Sequence, residues 1–223
     1  MAAVTIEIIY QGVMEGNAEI VAEFVPKMVE DGHGAQDVLN QGMIAALEEI
    51  GEQFSKGEIF VPEMLMSARA VKGVLDYLKP HLMESGAKPA GTLVIGTVEG
   101  DIHDIGKSLV GMMMEGGGFT VVDLGVDVDS EAFIDAAMEH DADIVGLSGL
   151  LSTSMMAMMK IVSDINEAVA EGRLHCKTIV GGAPVNQEFA DTIGASGYGE
   201  DAPVSVRMAK QLLGDQQEIS VAS

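Results

Sequence analysis

Beyond Gly91 the chain changes character, and short apolar runs alternate with amphipathic stretches. The runs are Thr92–Val98, Thr120–Leu124, Ile144–Ser148, Thr178–Val180 and a weaker one at Ala195–Tyr198. Helical periodicity fills the stretches near 104–117, 130–140, 154–171, 186–193 and 201–213. Strands that alternate with helices pair in parallel, because each helix carries the chain back across a face of the sheet and both faces become covered. The pattern predicts an α/β fold: a five-stranded parallel sheet, doubly wound, in flavodoxin-like (Rossmann-like) order.

From Thr5 to Ser85 the periodicity is helical throughout, with helices expected near 5–14, 17–31, 35–54 and 62–84. Val38, Met43, Ile44, Leu47, Ile50 and Phe54 recur at the three- and four-residue spacing of one helix face. The breaks at Gly16-Asn17, Gly32–Gly34 and Lys56-Gly57 are short enough to join antiparallel neighbours, which predicts a four-helix bundle. Residues 84–91 have linker composition. The expected organisation is a helical domain at 1–88, an α/β domain at 89–215 and a tail at 216–223.

Charge narrows the partners. Thirty-five acidic residues against twelve basic ones give a net charge of -23. Nucleic acid and anionic membrane are disfavoured, because phosphate binding needs clustered Lys and Arg. Most of the charge reads as a solvated acidic surface, and a partner with a basic docking face is the sharper option. The single cysteine, Cys176, excludes an internal disulfide and suits a reducing compartment. The N-terminus lacks the basic-then-apolar pattern of a signal peptide, and no window reaches the ~18 apolar residues of a spanning helix. A cytoplasmic location is expected. Seven of the sixteen methionines cluster at 112–114, 155–156 and 158–159; at helical spacing they read as adaptable core or contact surface before soft-metal ligands.

Open parallel sheets keep their ligands at the carboxyl ends of the strands. The segments that follow the runs are therefore the candidate site: Gly100–Gly106, Ser148–Ser154, Gly181–Ala183 and Gly197–Ala202. The first of them sets His103 between Asp101 and Asp104. An imidazole binds metal through one nitrogen while a carboxylate holds its other N–H, and Asp101 has the reach for that task. No further His/Cys cluster has zinc spacing, so a metal on His103 must draw its other ligands from elsewhere, as a macrocycle would supply. Gly100, Gly106 and Lys107 match neither the mononucleotide nor the dinucleotide phosphate pattern. A phosphoacceptor reading expects a lone Asp at the end of the third strand, where Ser148 stands.

Asp101-x-His103-x-x-Gly106, then Ser148-x-Leu150, then Gly181-Gly182 resembles the three-part signature of cobalamin-binding domains that hold the cofactor with its own base displaced and a histidine on cobalt. The helical region, with Phe54–Glu63 reading FSKGEIFVPE, resembles the cap of methionine synthase and of the corrinoid proteins of methanol, methylamine and methoxyaromatic methyltransferase systems. The likeness covers roughly residues 5–213.

It implies a role for each position. His103 would be the metal ligand, with Asp101 and Ser154 extending a relay toward solvent and Ser152 or Thr153 as local competitors of Ser154. Asp104 and Ile105 would contact the cofactor from the same loop. Gly106, Gly181, Gly182 and Ala183 would leave room for the nucleotide tail. Ser148 would hydrogen-bond the displaced base, and Leu150 and Leu151 would pack under the corrin. Tyr198, Gly199 and Asp201 would line the far end of the tail slot. Phe54 and Val61 would cover the upper, methyl-bearing face, a role that can coexist with ordinary core packing.

The resemblance further implies a cobalamin or related corrinoid cycling between cob(I)alamin and methylcobalamin, with a histidine that leaves and rebinds cobalt. The chain then reads as a methyl-carrying subunit of a multi-component system. A substrate-specific methyltransferase would load it, a methyl-acceptor methyltransferase acting on tetrahydrofolate or a thiol would unload it, and a reductive activase would rescue it. The alternative is a cobalamin-dependent sensor module.

Overall fold

The computed structural model describes residues 5–86 and 88–220, with side chains as far as Gly214. Its residues gather into two compact units. One reaches to Pro89 and takes in Glu115–Gly118; the other is formed by Ala90–Met114 and the chain from Phe119 onward.

The first unit is helical. Its elements are α1 (Ile6–Met14), α2 (Ala18–Glu30), α3 (Ala35–Asp37), α4 (Ala45–Ser55) and α5 (Val61–Glu84). A π-helical stretch, Val38–Ile44, joins α3 to α4, so the run expected at 35–54 is continuous but not uniformly α. The apolar stripe behaves as its spacing predicts: Val38 and Met43 are wholly buried, Leu47 and Ile50 nearly so. They share the interior with Ile9, Val25, Met28, Met64 and Val71. Local chemistry sets the ends. Asn17 Oδ1 accepts the Ile20 N–H at 3.2 Å to start α2. At α5 the Glu63 carboxylate accepts the Phe60 N–H at 2.7 Å, and Pro62 occupies the first turn, where no N–H is needed.

The second unit is the sheet. Strands β1 (Thr92–Thr97), β2 (Thr120–Asp123), β3 (Ile144–Ser148), β4 (Lys177–Gly181) and β5 (Gly197–Gly199) alternate with α6 (Ile105–Gly116), α7 (Ser130–Glu139), α8 (Met155–Ala170), α9 (Gln187–Ile193) and α10 (Ala202–Ser220). All pairings are parallel, in the order β2-β1-β3-β4-β5. This is the flavodoxin-like order expected from the alternation. Central strands show why they read as unbroken apolar runs. Leu93, Val94 and Ile95 are buried, as are Ile144, Val145 and Leu147, because both sheet faces are covered. The edge strand β2 is only half-buried. One core joins Val94, Val98 and Val145 to Phe133 on α7 and to Met158, Ile161 and Ile165 on α8.

α10 runs to Ser220, so the tail expected from 216 is helical to that point, and 221–223 lie outside the described residues. An interior glycine costs only about 1 kcal/mol, and Gly214 does not stop this helix. The methionines divide between roles: Met113, Met114 and Met158 are core, whereas Met156 and Met159 are exposed. Among the described residues no helix is long and apolar enough to cross a membrane.

Candidate functional site

Strand register brings the expected segments together. Thr97 of β1 stands opposite Ser148 of β3, Ser148 opposite Gly181 of β4, and Gly181 opposite Gly199 of β5. This row marks the carboxyl edge of four adjacent strands. Every loop named from the sequence leaves from it.

The loop after β1 carries the centre of the site. Asp101 is wholly buried, and every contact of its carboxylate is with a donor. Oδ1 lies 2.6 Å from His103 Nδ1 and accepts the His103 backbone N–H at 3.1 Å. Oδ2 accepts the Leu150 N–H at 2.7 Å and the Leu151 N–H at 3.1 Å, and lies 3.0 Å from Ser154 Oγ. Burial pushes the carboxyl pKa up, but the His103 ring and the three backbone N–H groups together outweigh it, and Asp101 sits well below the usual carboxylate range. An ionised carboxylate only accepts, so Nδ1 carries the proton of a neutral His103 ring. Its lone pair is then on Nε2, on a side chain 47 % exposed.

The two loops that meet at Asp101 also expose aliphatic side chains. Ile102 is 74 % exposed, Ile105 83 %, Leu150 45 % and Leu151 40 %. Among the described residues no group of three or more His, Cys, Asp or Glu side chains could hold a metal ion. A metal on Nε2 must therefore bring most of its own ligands, and the exposed aliphatic rim suits a large apolar ring better than a hydrated ion. These residues fit a corrin.

Ser154 meets Asp101 from within the fold. It is 2 % exposed, and its hydroxyl also meets the Leu151 carbonyl at 2.7 Å. Ser152 and Thr153 are exposed and make no contact with Asp101. Ser148 is half-buried at the strand end. Asp104 and Gly106 are exposed around the start of α6, where a Cβ on Gly106 would meet nothing within 4 Å. Gly182 is different: its φ is +127°, and a Cβ there would lie 1.9 Å from the Gly149 carbonyl oxygen. Close approach of the β3 and β4 loops already explains it, and a Cβ on Gly181 would press on Gly199 in the same way. Ala183 is exposed beside them. Tyr198 is half-buried, with its phenol pKa raised by burial and then by Glu200 and Asp201. Asp201 also caps α10, accepting the Val204 N–H at 2.7 Å. In the helical unit Phe54 is half-buried near the end of α4, and Val61, 42 % exposed, opens α5.

Lys107, a possible phosphate ligand by sequence, is 3 % exposed and ion-paired with both oxygens of Asp123. It is committed to the fold. Sequence reasoning missed the backbone donors of Leu150 and Leu151, which leave no trace in residue identity. It also missed Thr97, whose hydroxyl donates to the His103 carbonyl at 2.9 Å.

Comparison with known proteins agrees with this geometry. Residues 91–207 match a family model described as a B12 binding domain, and residues 5–79 match a second B12 binding domain model. A corrinoid protein of Desulfitobacterium hafniense (strain Y51) is 39% identical over 207 residues, covering 92% of this chain and 95% of the relative. Trimethylamine corrinoid protein 1 of Methanosarcina mazei is 40% identical over 197 residues, covering 87% and 90%. Among solved structures, a chain of the methanol:cobalamin methyltransferase complex of Methanosarcina barkeri superposes with a TM-score of 0.77 at 29% identity, covering 94% of this chain and 79% of that one. With the cobalamin signature gathered at one sheet edge and both units matched by B12-binding models, the chain belongs to the corrinoid proteins of the B12-binding family.

Proposed function

We propose that the chain is a corrinoid carrier: it accepts a methyl group on cobalt from a substrate-specific methyltransferase and delivers it to a second methyltransferase. The observation that carries this reading is the His103 ring, fixed through Nδ1 on a buried ionised Asp101, in loops that expose Ile102, Ile105, Leu150 and Leu151. The bound corrinoid supplies a cobalt that takes up and releases a methyl group. The protein's own residues do the rest. His103 would hold the metal through Nε2. Asp101 orients the ring, and the Leu150 and Leu151 N–H groups keep Asp101 in place. Ile102, Ile105, Leu150 and Leu151 would exclude water beneath the corrin.

The likeness to a chain of the methanol:cobalamin methyltransferase complex supports a methyltransferase as the partner class. We extend this to an acceptor methyltransferase using tetrahydrofolate or a thiol, to a reductive activase, and to a cytoplasmic location. The test is reconstitution: the cobalamin-loaded protein is incubated with a small methyl donor (methylamines, methanol, betaine, aryl methyl ethers) and a cognate methyltransferase. Methylation that needs all three supports the carrier reading. A chain that turns over donor and acceptor unaided would contradict it.

A further inference from the structure

Two residues outside the cobalamin signature grip the backbone of the His103 loop. Thr97, the last residue of β1, is wholly buried. Its N–H donates to the Gly125 carbonyl and its own carbonyl accepts the Val128 N–H, each at 3.0 Å, so the loop after β2 ties the residue down from both sides. Thr97 Oγ1 then donates to the His103 carbonyl at 2.9 Å, closing the chain from 97 to 103 into a ring.

Asp127 holds the other end. Its φ is +57°, a left-handed conformation that disfavours any residue with a Cβ, though Asp tolerates it better than most. In that conformation its N–H donates to the Asp101 carbonyl at 3.0 Å, while its Oδ1 accepts the Gly100 N–H at 2.7 Å. One side chain and one peptide group thus hold two consecutive residues of the loop. Gly100 lies at φ +81°, a value that suits glycine. Neither Thr97 nor Asp127 hydrogen-bonds the imidazole.

We propose that Thr97 and Asp127 are positioning residues, a clamp at the two ends of the Gly100–His103 backbone that fixes how the ring presents Nε2. Asp101 aligns the ring against a carboxylate, but that alignment holds only while the backbone carrying both residues stays in place. The sheet supplies the anchor. Thr97 passes the position of β1 to His103, and Asp127 passes the position of the loop after β2 to Gly100 and Asp101. A residue with the shape of Thr97 but no hydroxyl would keep the strand and release the His103 carbonyl.

The inference rests on His103 as cobalt ligand, and the experiment separates the two. Histidine nitrogens are labelled with 15N in wild type, Thr97→Val, Thr97→Ser, Asp127→Ala and Asp127→Asn. The His103 Nδ1 signal is read in the protein without cofactor, and the ratio of histidine-ligated to unligated cobalt is read from the absorption spectrum after loading with methylcobalamin. Thr97→Val and Asp127→Ala are expected to lower that ratio roughly two- to ten-fold and to shift the Nδ1 signal. Thr97→Ser and Asp127→Asn keep the hydrogen-bonding oxygen and should stay near wild type. If Thr97→Val fails to fold, Asp127→Ala, at an exposed loop position, carries the test. Unfolding midpoints that fall while ring signal and ligation ratio stay at wild-type values would overturn the proposal and leave both residues purely structural. If wild type itself shows no histidine ligation, the ligand reading fails, and the Nδ1 signal alone decides: shifted in the variants it upholds the clamp, unshifted it overturns it.

Discussion

Asp101 meets His103 twice through the same oxygen: Oδ1 lies 2.6 Å from the ring Nδ1 and takes the backbone N–H at 3.1 Å. The double contact couples the direction of the imidazole to the course of the main chain. The second oxygen joins the arrangement to the loop after β3, through Leu150, Leu151 and Ser154. Two strand ends are thus held by one buried carboxylate.

Asp101→Asn should damage fold and site together. An asparagine keeps the size, but its NH2 must point at donors on whichever side it is placed, leaving at least one buried mismatch that costs about 1–3 kcal/mol. Urea unfolding of the cofactor-free protein measures the loss. Metal affinity at His103 should also fall, about 10–100-fold. Ser154→Ala should do much less, because the Leu150 and Leu151 N–H groups still hold Oδ2. Equal effects of the two substitutions would show that the backbone donors carry little.

Two glycines separate a ligand requirement from a folding requirement. Gly182→Ala places a Cβ against the Gly149 carbonyl at a left-handed φ, and should destabilise by about 3 kcal/mol or more. Gly106 has open space around it, so Gly106→Ala should leave stability within about 1 kcal/mol of wild type. If Gly106 makes room for the cofactor, cobalamin affinity must nevertheless fall. Thermal unfolding together with cobalamin titration of both variants decides; unchanged affinity in Gly106→Ala would remove that role.

Much of this was legible in the sequence, for identifiable reasons. Unbroken runs such as Ile144–Ser148 mark strands buried on both faces, and their regular alternation with helices marks a parallel, doubly wound sheet. Asp101 and His103 were readable because two residues of spacing suffice for the contact. The rest depends on register or on the main chain. That Thr97 stands in line with Ser148 and reaches His103 requires the folded sheet. The donors of Leu150 and Leu151 are peptide groups, which any residue would offer. Ser154 was correctly placed near Asp101, but its burial depends on packing that no local pattern encodes.

The helical unit has its own titration signature. Tyr10 on α1 donates to the Glu49 carboxylate on α4; that bond first, then burial, then the charges of Glu49 and Glu7 push its phenol up to about 12. A folded pKa above the ordinary ~10 contributes stability that is fully present below pH ~10 and is lost as pH rises through the folded value. Alkaline titration of tyrosinate absorbance should show a late step that disappears in Tyr10→Phe and moves to lower pH in Glu49→Gln. A late step untouched by Glu49→Gln would sever the link between these helices.

The ligand itself can be read by electron paramagnetic resonance. The protein is produced with 15N-labelled histidine and loaded with unlabelled cob(II)alamin, whose unpaired electron couples to the axial nitrogen. If His103 Nε2 is that nitrogen, each cobalt line splits into a doublet, in place of the triplet that 14N gives, and the splitting from the protein is lost in His103→Ala. A triplet that persists in the labelled wild-type protein would show that the cofactor's own base occupies the position, and would contradict the account.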